Sequence, residues 1–244
     1  MSHSNDKSDL ECAIDPQQYD TGNPNWEQEG AADNPFRAHY FHYYLRKYLD
    51  CHDKTVIDIG CGTGSLTPLL RSLNAKRMVG IEPSVQNVTS ARTHYPDMEV
   101  INSTLDGVIV EGKFDVAVCV MVFEHIEDTK SAFAKIHTFL RPNGTLYLIV
   151  ANRDYYLAPR FGYDIRATEV GDDTTVVRIT RPTGTICDLV RPVGKYITDA
   201  KSANFVAQEP IPLLPTAELI KSLPKYALYK ETPISYLLIL NAVP

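Results

Sequence analysis

The chain has 244 residues, a formal net charge of −6 and 44% hydrophobic residues, enough to build the core of one sizeable domain. The acidic balance disfavours a general nucleic-acid binder, which needs a basic surface against phosphates. No stretch approaches the roughly 20 apolar residues that span a bilayer, and Met1 to Asp20 lacks the apolar run of a secretory signal, so a cytoplasmic protein without membrane association is expected.

The five cysteines, Cys12, Cys51, Cys61, Cys119 and Cys187, are odd in number and contain no C-x-x-C pair. Free thiols in a reducing compartment and no zinc site are therefore expected. Residues 1–33 are polar and carry Gly22, Pro24, Gly30 and the single tryptophan. They read as a flexible leader, with Tyr19 and Trp26 candidates either for a lid over a ligand or for surface packing. Asn34-Pro35 opens a helix over about 35–50, because proline at the first helical position gives up no needed N–H. Phe41, Tyr44, Leu45, Tyr48 and Leu49 then recur at helical spacing.

Strands rich in Val and Ile are expected at 55–60, 78–83, 98–103, 114–121 and 144–151, with helices at about 65–74, 84–94 and 128–140. In the last of these helices Asp128 is the cap, and Arg141-Pro142-Asn143-Gly144 is read as the stop and turn. The alternation predicts an α/β fold, an open parallel sheet with helices on both sides. After 152 the rhythm changes. Two β-rich runs flank Arg181-Pro182-Thr183-Gly184 as a hairpin, followed by a helix near 194–203, a strand near 204–211, a helix near 216–223 and a strand over 235–243. The domain is taken as 34–244, with 152–193 an insertion on the substrate side.

The first strand ends in Asp58-Ile59-Gly60-Cys61-Gly62-Thr63-Gly64 and the second in Glu82. Ligands of open α/β sheets bind at such carboxyl ends. Glycines let the backbone turn and approach a ligand, and a carboxylate at the second strand end can accept from ribose hydroxyls. A glycine loop with a distant acid also suits a nicotinamide dinucleotide. The spacing is G-x-G-x-G rather than G-x-G-x-x-G, however, and position 65 is serine.

With Phe114-Asp115, Glu124-His125 and Leu140 to Gly144 following in order, the chain resembles class I S-adenosylmethionine (SAM)-dependent methyltransferases. It is similar to the small-molecule group that includes the ubiquinone-biosynthesis methyltransferases. The resemblance implies a Rossmann-like, doubly wound, mostly parallel seven-stranded sheet with an antiparallel last strand, the late β-rich insertion lying outside it. It implies SAM as cofactor and S-adenosylhomocysteine (SAH) as product. Asp58, Gly60, Gly62 and Gly64 would hold the methionine portion and Glu82 the ribose. Ser103 and Thr104 stand where the family often has an adenine-contacting acid, so a hydroxyl would substitute. Cys61, Pro83, Leu105 and Val120 complete the expected lining.

His125 is the candidate general base, as it follows the fourth strand and titrates near neutrality; a structural or cofactor-ordering role is the competing reading. Tyr19, Trp26, Arg153, Tyr155 and Tyr156 are candidate acceptor contacts. Six arginines in 152–193 are matched by six acids, which argues against a polyanionic substrate and leaves room for one Arg–carboxylate clamp. Val120-Met121-Val122-Phe123 replaces the [DN]-P-P-[YF] of amide and base N-methyltransferases. Cys119 reads as core, and the histidines, His39 and His42 among them, form no metal set. The expectation is methyl transfer to oxygen or nitrogen of a small molecule by a monomer or homodimer. A peptide or protein N-methyltransferase, a nicotinamide-dependent oxidoreductase and a non-catalytic SAM-binding protein are the alternatives.

Overall fold

A computed structural model of the chain describes residues 8–15, 18, 26–160, 162–182 and 184–244, with the backbone alone at Trp26 and Glu27. Two short leader helices, α1 (Asp9–Ala13) and α2 (Trp26–Gly30), precede α3, a π-helical turn Arg37–Phe41 that runs into an α-helix His42–Tyr48. Strand and helix then alternate as β1 (Thr55–Ile59), α4 (Thr67–Ser72), β2 (Arg77–Glu82), α5 (Val85–His94), β3 (Glu99–Asn102), β4 (Phe114–Val120), α6 (Thr129–Phe139) and β5 (Leu140–Ala151). Beyond these come α7 (Arg153–Leu157), β6 (Asp164–Gly171), β7 (Thr174–Arg181), β8 (Gly184–Val190) and α8 (Val193–Ser202). The last elements are β9 (Phe205–Ala207), β10 (Ile211–Leu213), α9 (Ala217–Ser222) and β11 (Ser235–Ala242).

The main sheet runs β10-β11-β5-β4-β1-β2-β3, with β9 also paired to β11. β1 to β5 are mutually parallel, and β11 lies antiparallel against β5, Leu237 opposite Ile149. This is the expected α/β sheet with its reversed last strand. One face is covered by Tyr40 and Leu45 of α3, Leu69 and Leu70 of α4, and Val88 and Ala91 of α5; the other by Phe133 and Ile136 of α6 and Tyr196 and Ala200 of α8. Ser84 and Asp128 cap α5 and α6 by accepting from the N–H groups of Asn87 and Ser131, as capping chemistry requires.

Several elements depart from expectation for identifiable reasons. Arg141-Pro142-Asn143-Gly144 does not separate helix from strand. β5 begins at Leu140, pairs with Phe114, and absorbs the four residues as an irregularity, with Asn143 at φ +63°. The strand expected at 204–211 splits into β9 and β10 around Glu209-Pro210, where proline removes a ladder donor. The hairpin gains a third strand: β6 pairs antiparallel with β7. Its side chains are almost all exposed, so it carried no apolar alternation to read.

The expectation of five free thiols is overturned. Cys12 and Cys187 form a disulfide across 175 residues, with Cα atoms 5.8 Å apart. Parity and local spacing carry no information about a pair so distant; Cys51, Cys61 and Cys119 stay free and buried. The leader is likewise not simply loop. Ala13 of α1 packs on Val176, Cys187 and Leu189 of the three-stranded sheet, and Asp9 Oδ1 pairs with Arg178 Nε at 2.7 Å. No helix among the described residues is long and apolar enough to cross a membrane.

Candidate active site

The turn after β1 is shaped by backbone conformations that side chains resist. Gly60, Gly62 and Gly64 adopt φ of +68°, +55° and +79°. A Cβ on Gly60 would stand 2.3 Å from Cγ2 of Val122, so β1's turn and the segment after β4 touch through it. The Gly60 and Cys61 N–H groups donate to Ile81 O at 2.8 and 3.0 Å, fastening the loop to β2. At the end of β2, Glu82 is 7% exposed. Its Oε2 accepts from Gly62 N at 3.0 Å, and Oε1 accepts from Ser84 N at 3.0 Å and Asn87 Nδ2 at 3.2 Å. A carboxylate so held is a rigid acceptor already in place.

A cavity of about 540 Å³ opens above these strand ends, within the range of small-molecule sites. Ile59 to Gly62 and Ile81 form one wall, and Glu82, Pro83 and Asn87 another. Ser103, Thr104, Leu105 and Asp106 close the end beyond β3; Val120 to Val122, His125 to Asp128 and Ser131 form the side after β4. Arg37 and Phe41 of α3 complete one end, and Ile14 and Asp15 of the leader reach over the cavity.

The leader also touches the glycine loop, since Thr63 Oγ1 donates to Gly30 O at 2.6 Å. Arg37 Nε donates to Glu29 O at 2.7 Å and its Nη1 to Ser65 Oγ at 3.2 Å. Asp58 is 2% exposed and lines a small adjoining space of about 20 Å³ with Arg37, Gly60 and Cys61. Its Oδ2 has no hydrogen-bond partner among the described residues. Burial, with the Glu82 charge adding to it, pushes its carboxyl up to about 8. An orphaned acid beside a donor-lined cradle fits a ligand that brings a cationic group.

Across the cavity, the 3₁₀ turn Phe123–His125 presents His125. Its Nδ1 is 3.2 Å from both Gln18 Nε2 and Ala13 O, and its Nε2 is 3.8 Å from Asp188 Oδ1. Burial holds the imidazole below its ordinary value, hence neutral at physiological pH. Burial pushes Asp188 and Glu124 up to about 7. The turn is clamped by Arg191, 1% exposed, whose guanidinium donates to Phe123 O, Ile126 O, Glu127 O and Thr174 Oγ1 at 3.1, 2.8, 3.1 and 2.9 Å.

The structure thus brings Gly60, Cys61, Gly62, Glu82, Pro83, Ser103, Thr104, Leu105, Val120 and His125 to one cavity. Asp58 adjoins it, and Gly64 backs onto Tyr95 and Ala91 instead. Arg153 does not line it: the side chain binds Glu169 Oε1 at 2.9 Å and Thr175 Oγ1 at 3.1 Å, tying α7 to the three-stranded sheet. Tyr155 and Tyr156 sit together in an aromatic cluster with Tyr229. Tyr19 lies outside the described residues, and Trp26 is described in backbone only. Sequence reasoning missed Arg37, Asn87 and Asp106. Asn87 lies one helical turn past the Ser84 cap, a readable position; Asp106 stands three residues beyond Ser103; nothing local marks Arg37.

A family model described as a methyltransferase domain matches residues 36–194. The ubiquinone biosynthesis O-methyltransferase of Azotobacter vinelandii is 28% identical over 127 residues, 50% of this chain and 53% of that one. The mitochondrial enzyme of the same description from Dictyostelium discoideum is 25% identical over 180 residues, 60% of this chain and 56% of that one. The chain spans about half the length of these curated relatives. Among solved structures, a SAM-dependent methyltransferase from Mesorhizobium loti superposes with a TM-score of 0.65 at 20% identity, covering 88% of this chain and 99% of that one. A glycopeptide N-methyltransferase complexed with SAM gives 0.62 at 12% identity, covering 84% and 94%. At these identities the structural likeness speaks to the fold.

Proposed function

The chain belongs to the class I SAM-dependent methyltransferase family, and from that premise we propose that it transfers the methyl group of SAM to an oxygen or nitrogen of a small-molecule acceptor. The observation that carries the proposal is the cradle itself: Glu82 fixed on Gly62 N in the cavity wall, with the unpartnered Asp58 Oδ2 by the small adjoining space. Glu82 would accept from the ribose hydroxyls, Asp106 from the adenine amine, and Asp58 from the cationic amino group. Arg37 would face the carboxylate of the methionine portion. Ser103 and Thr104, the residues first expected at the adenine, line the same end.

SAM supplies a methyl group already activated by its sulfonium, so the chain's own work is orientation, exclusion of water and management of one proton. Ile14 and Asp15 of the leader, with Phe41 of α3 and Met121, narrow the cavity from outside. His125, neutral through burial, takes the proton that an attacking hydroxyl or ammonium loses. Asp188, close to His125 Nε2, stabilises the imidazolium that results.

Two measurements test this reading. In a thermal-shift comparison SAH should stabilise the protein and NAD(P) should not; the reverse pattern overturns the methyltransferase reading. In a metabolite-extract assay with labelled SAM, His125→Ala should lower turnover by about 10²–10⁴-fold, the usual worth of a general base. Unchanged turnover across pH 6–9 would remove His125 from that role.

A further inference from the structure

The leader covers the nitrogen of His125 that an acceptor must reach. Nε2 faces Asp188 Oδ1 at 3.8 Å, which leaves Nδ1 to take a proton from an acceptor. Nδ1 stands 3.2 Å from Gln18 Nε2 and 3.2 Å from Ala13 O, both in the leader. It accepts from the amide in one tautomer and donates to the carbonyl in the other, so it is engaged in both. The Gln18 amide is itself fixed: its Oε1 accepts from Cys187 N at 3.2 Å, and its Nε2 donates to Ala13 O at 3.1 Å. Ile14 and Asp15, between these contacts in the chain, stand on the cavity lining.

One covalent bond keeps this cover in place. The Cys12–Cys187 disulfide joins α1 to β8, the strand that also carries Asp188 and the N–H that orients Gln18. Apart from that bond, α1 has little to hold it. It has five residues, far below the roughly 12 at which an isolated helix becomes even marginal. Its apolar contact with the three-stranded sheet is a small cluster around Ala13, Val176 and Leu189. Its ion pair, Asp9 with Arg178, is partly exposed and therefore weak. The bond can be attacked from the leader side, where Cys12 is half-buried while Cys187 is buried.

We propose that the Cys12–Cys187 bond is a redox lock on the leader. Oxidised, it holds residues 8–15 and Gln18 over His125 and shuts the site to an acceptor; reduced, it lets them lift. A dithiol reductant supplies the two electrons. Its thiolate attacks Cys12 Sγ, the S–S bond breaks, and Cys187 leaves as the thiolate. The second thiol of the reductant then displaces Cys12 and closes the reductant's own disulfide, and its two protons end on Cys12 and Cys187. Release of the leader is a property of this bond alone. Its consequence for methyl transfer rests on the methyltransferase reading above, with His125 as base.

The test compares the air-oxidised full chain with the chain reduced by dithiothreitol and desalted. Carbethoxylation of His125 by diethyl pyrocarbonate is read by peptide mass spectrometry. Labelling of His125 should rise about fivefold or more on reduction, as a local opening exposes the ring, while the exposed His52 reacts alike in both forms. SAH affinity should stay within about threefold, roughly 0.6 kcal/mol. Cys12→Ser should label fast without reductant and show no further rise with it; should it fold poorly, the wild-type pair carries the test. Turnover of labelled SAM in a metabolite extract should rise on reduction in step with the labelling. Alkylation of Cys12 and Cys187 in the oxidised chain, equal labelling of His125 in the two forms, or faster labelling with unchanged turnover overturns the lock. Absence of both SAH binding and turnover in either form, with the labelling difference intact, would instead overturn the parent reading.

Discussion

The two sides of the cavity are built by different means. On the β1–β3 side, nearly every contact is made by backbone or by residues close in sequence. Positive-φ glycines turn the chain, Gly60 and Cys61 N–H groups bond to Ile81 O, and Glu82 is held by Gly62, Ser84 and Asn87. On the β4–β8 side the wall depends on side chains that meet across long stretches. Arg191 grips the turn 123–127, Gln18 reaches His125 and Cys187, and Cys12 is bonded to Cys187. A backbone cradle resists change because its geometry is local; a side-chain wall can be rebuilt without disturbing the backbone side, which suits the proposed division into donor and acceptor walls.

That contrast can be broken most sharply at Arg191. Arg191→Met leaves three backbone carbonyls of the 123–127 turn without their donor and should cost about 3–5 kcal/mol, since each buried acceptor left unsatisfied costs roughly 1–3 kcal/mol. At roughly 2–4 °C per kcal/mol for a chain of this size, Tm should fall by about 10 °C in differential scanning calorimetry. Methyl transfer should suffer far more than SAH affinity at a temperature where the variant is folded. An equal loss of both would mean that the two sides are one unit.

Gly60→Ala probes the cradle. Left-handed backbone costs a residue with a Cβ about 1–2 kcal/mol, and the contact with Val122 adds to it. SAH affinity should drop by about 30-fold, roughly 2 kcal/mol. Val122→Ala in the same chain should recover part of the loss, which calorimetry can read.

Stability against pH sharpens the comparison next. Asp58, Glu124 and Asp188 have folded pKa values raised by burial to about 8, 7 and 7. Their contribution is complete below the ordinary carboxylate range and is lost as pH rises through these folded values. His42, held down to about 4, and His125, also lowered, act in the opposite sense, costing stability as pH falls below 6.5. Ligand-free protein should therefore lose Tm between pH 6.5 and 8.5. Asp58→Asn should flatten that slope, and SAH should protect more at the alkaline end.

The smallest effect is expected at the disulfide. Cys12→Ser frees α1 from β8, but this is a local opening rather than a loss of core. Global Tm should barely move, amide exchange in residues 8–15 should accelerate, and SAH should weaken by no more than about threefold, roughly 0.6 kcal/mol. A larger loss would make the leader part of the cradle.

Legibility followed the same divide. The glycine loop, Glu82 and the alternation of strands and helices were readable because each is a local pattern with a short-range cause. Ser103 and Thr104 line the cavity as expected, and so does Asp106, which was passed over because an acid in a polar loop looks like any other. The Arg-Pro-Asn-Gly run within β5 was read as a turn by its composition, whereas pairing of Leu140 with Phe114 drew it into the sheet. β6 was missed because an exposed strand has no apolar rhythm, and Arg153 was placed near the acceptor by its position although it serves Glu169 and Thr175.

By itself, then, the amino-acid order determined the α/β sheet, the glycine turn beside Glu82 and the family, because strand patterning and glycine conformation act over a few residues. Only the tertiary structure decided what builds the opposite wall of the cavity. The Cys12–Cys187 bond and the Gln18–His125–Asp188 cluster join residues from 63 to 175 positions apart, and no local rule relates side chains that meet only after the sheet has closed around them.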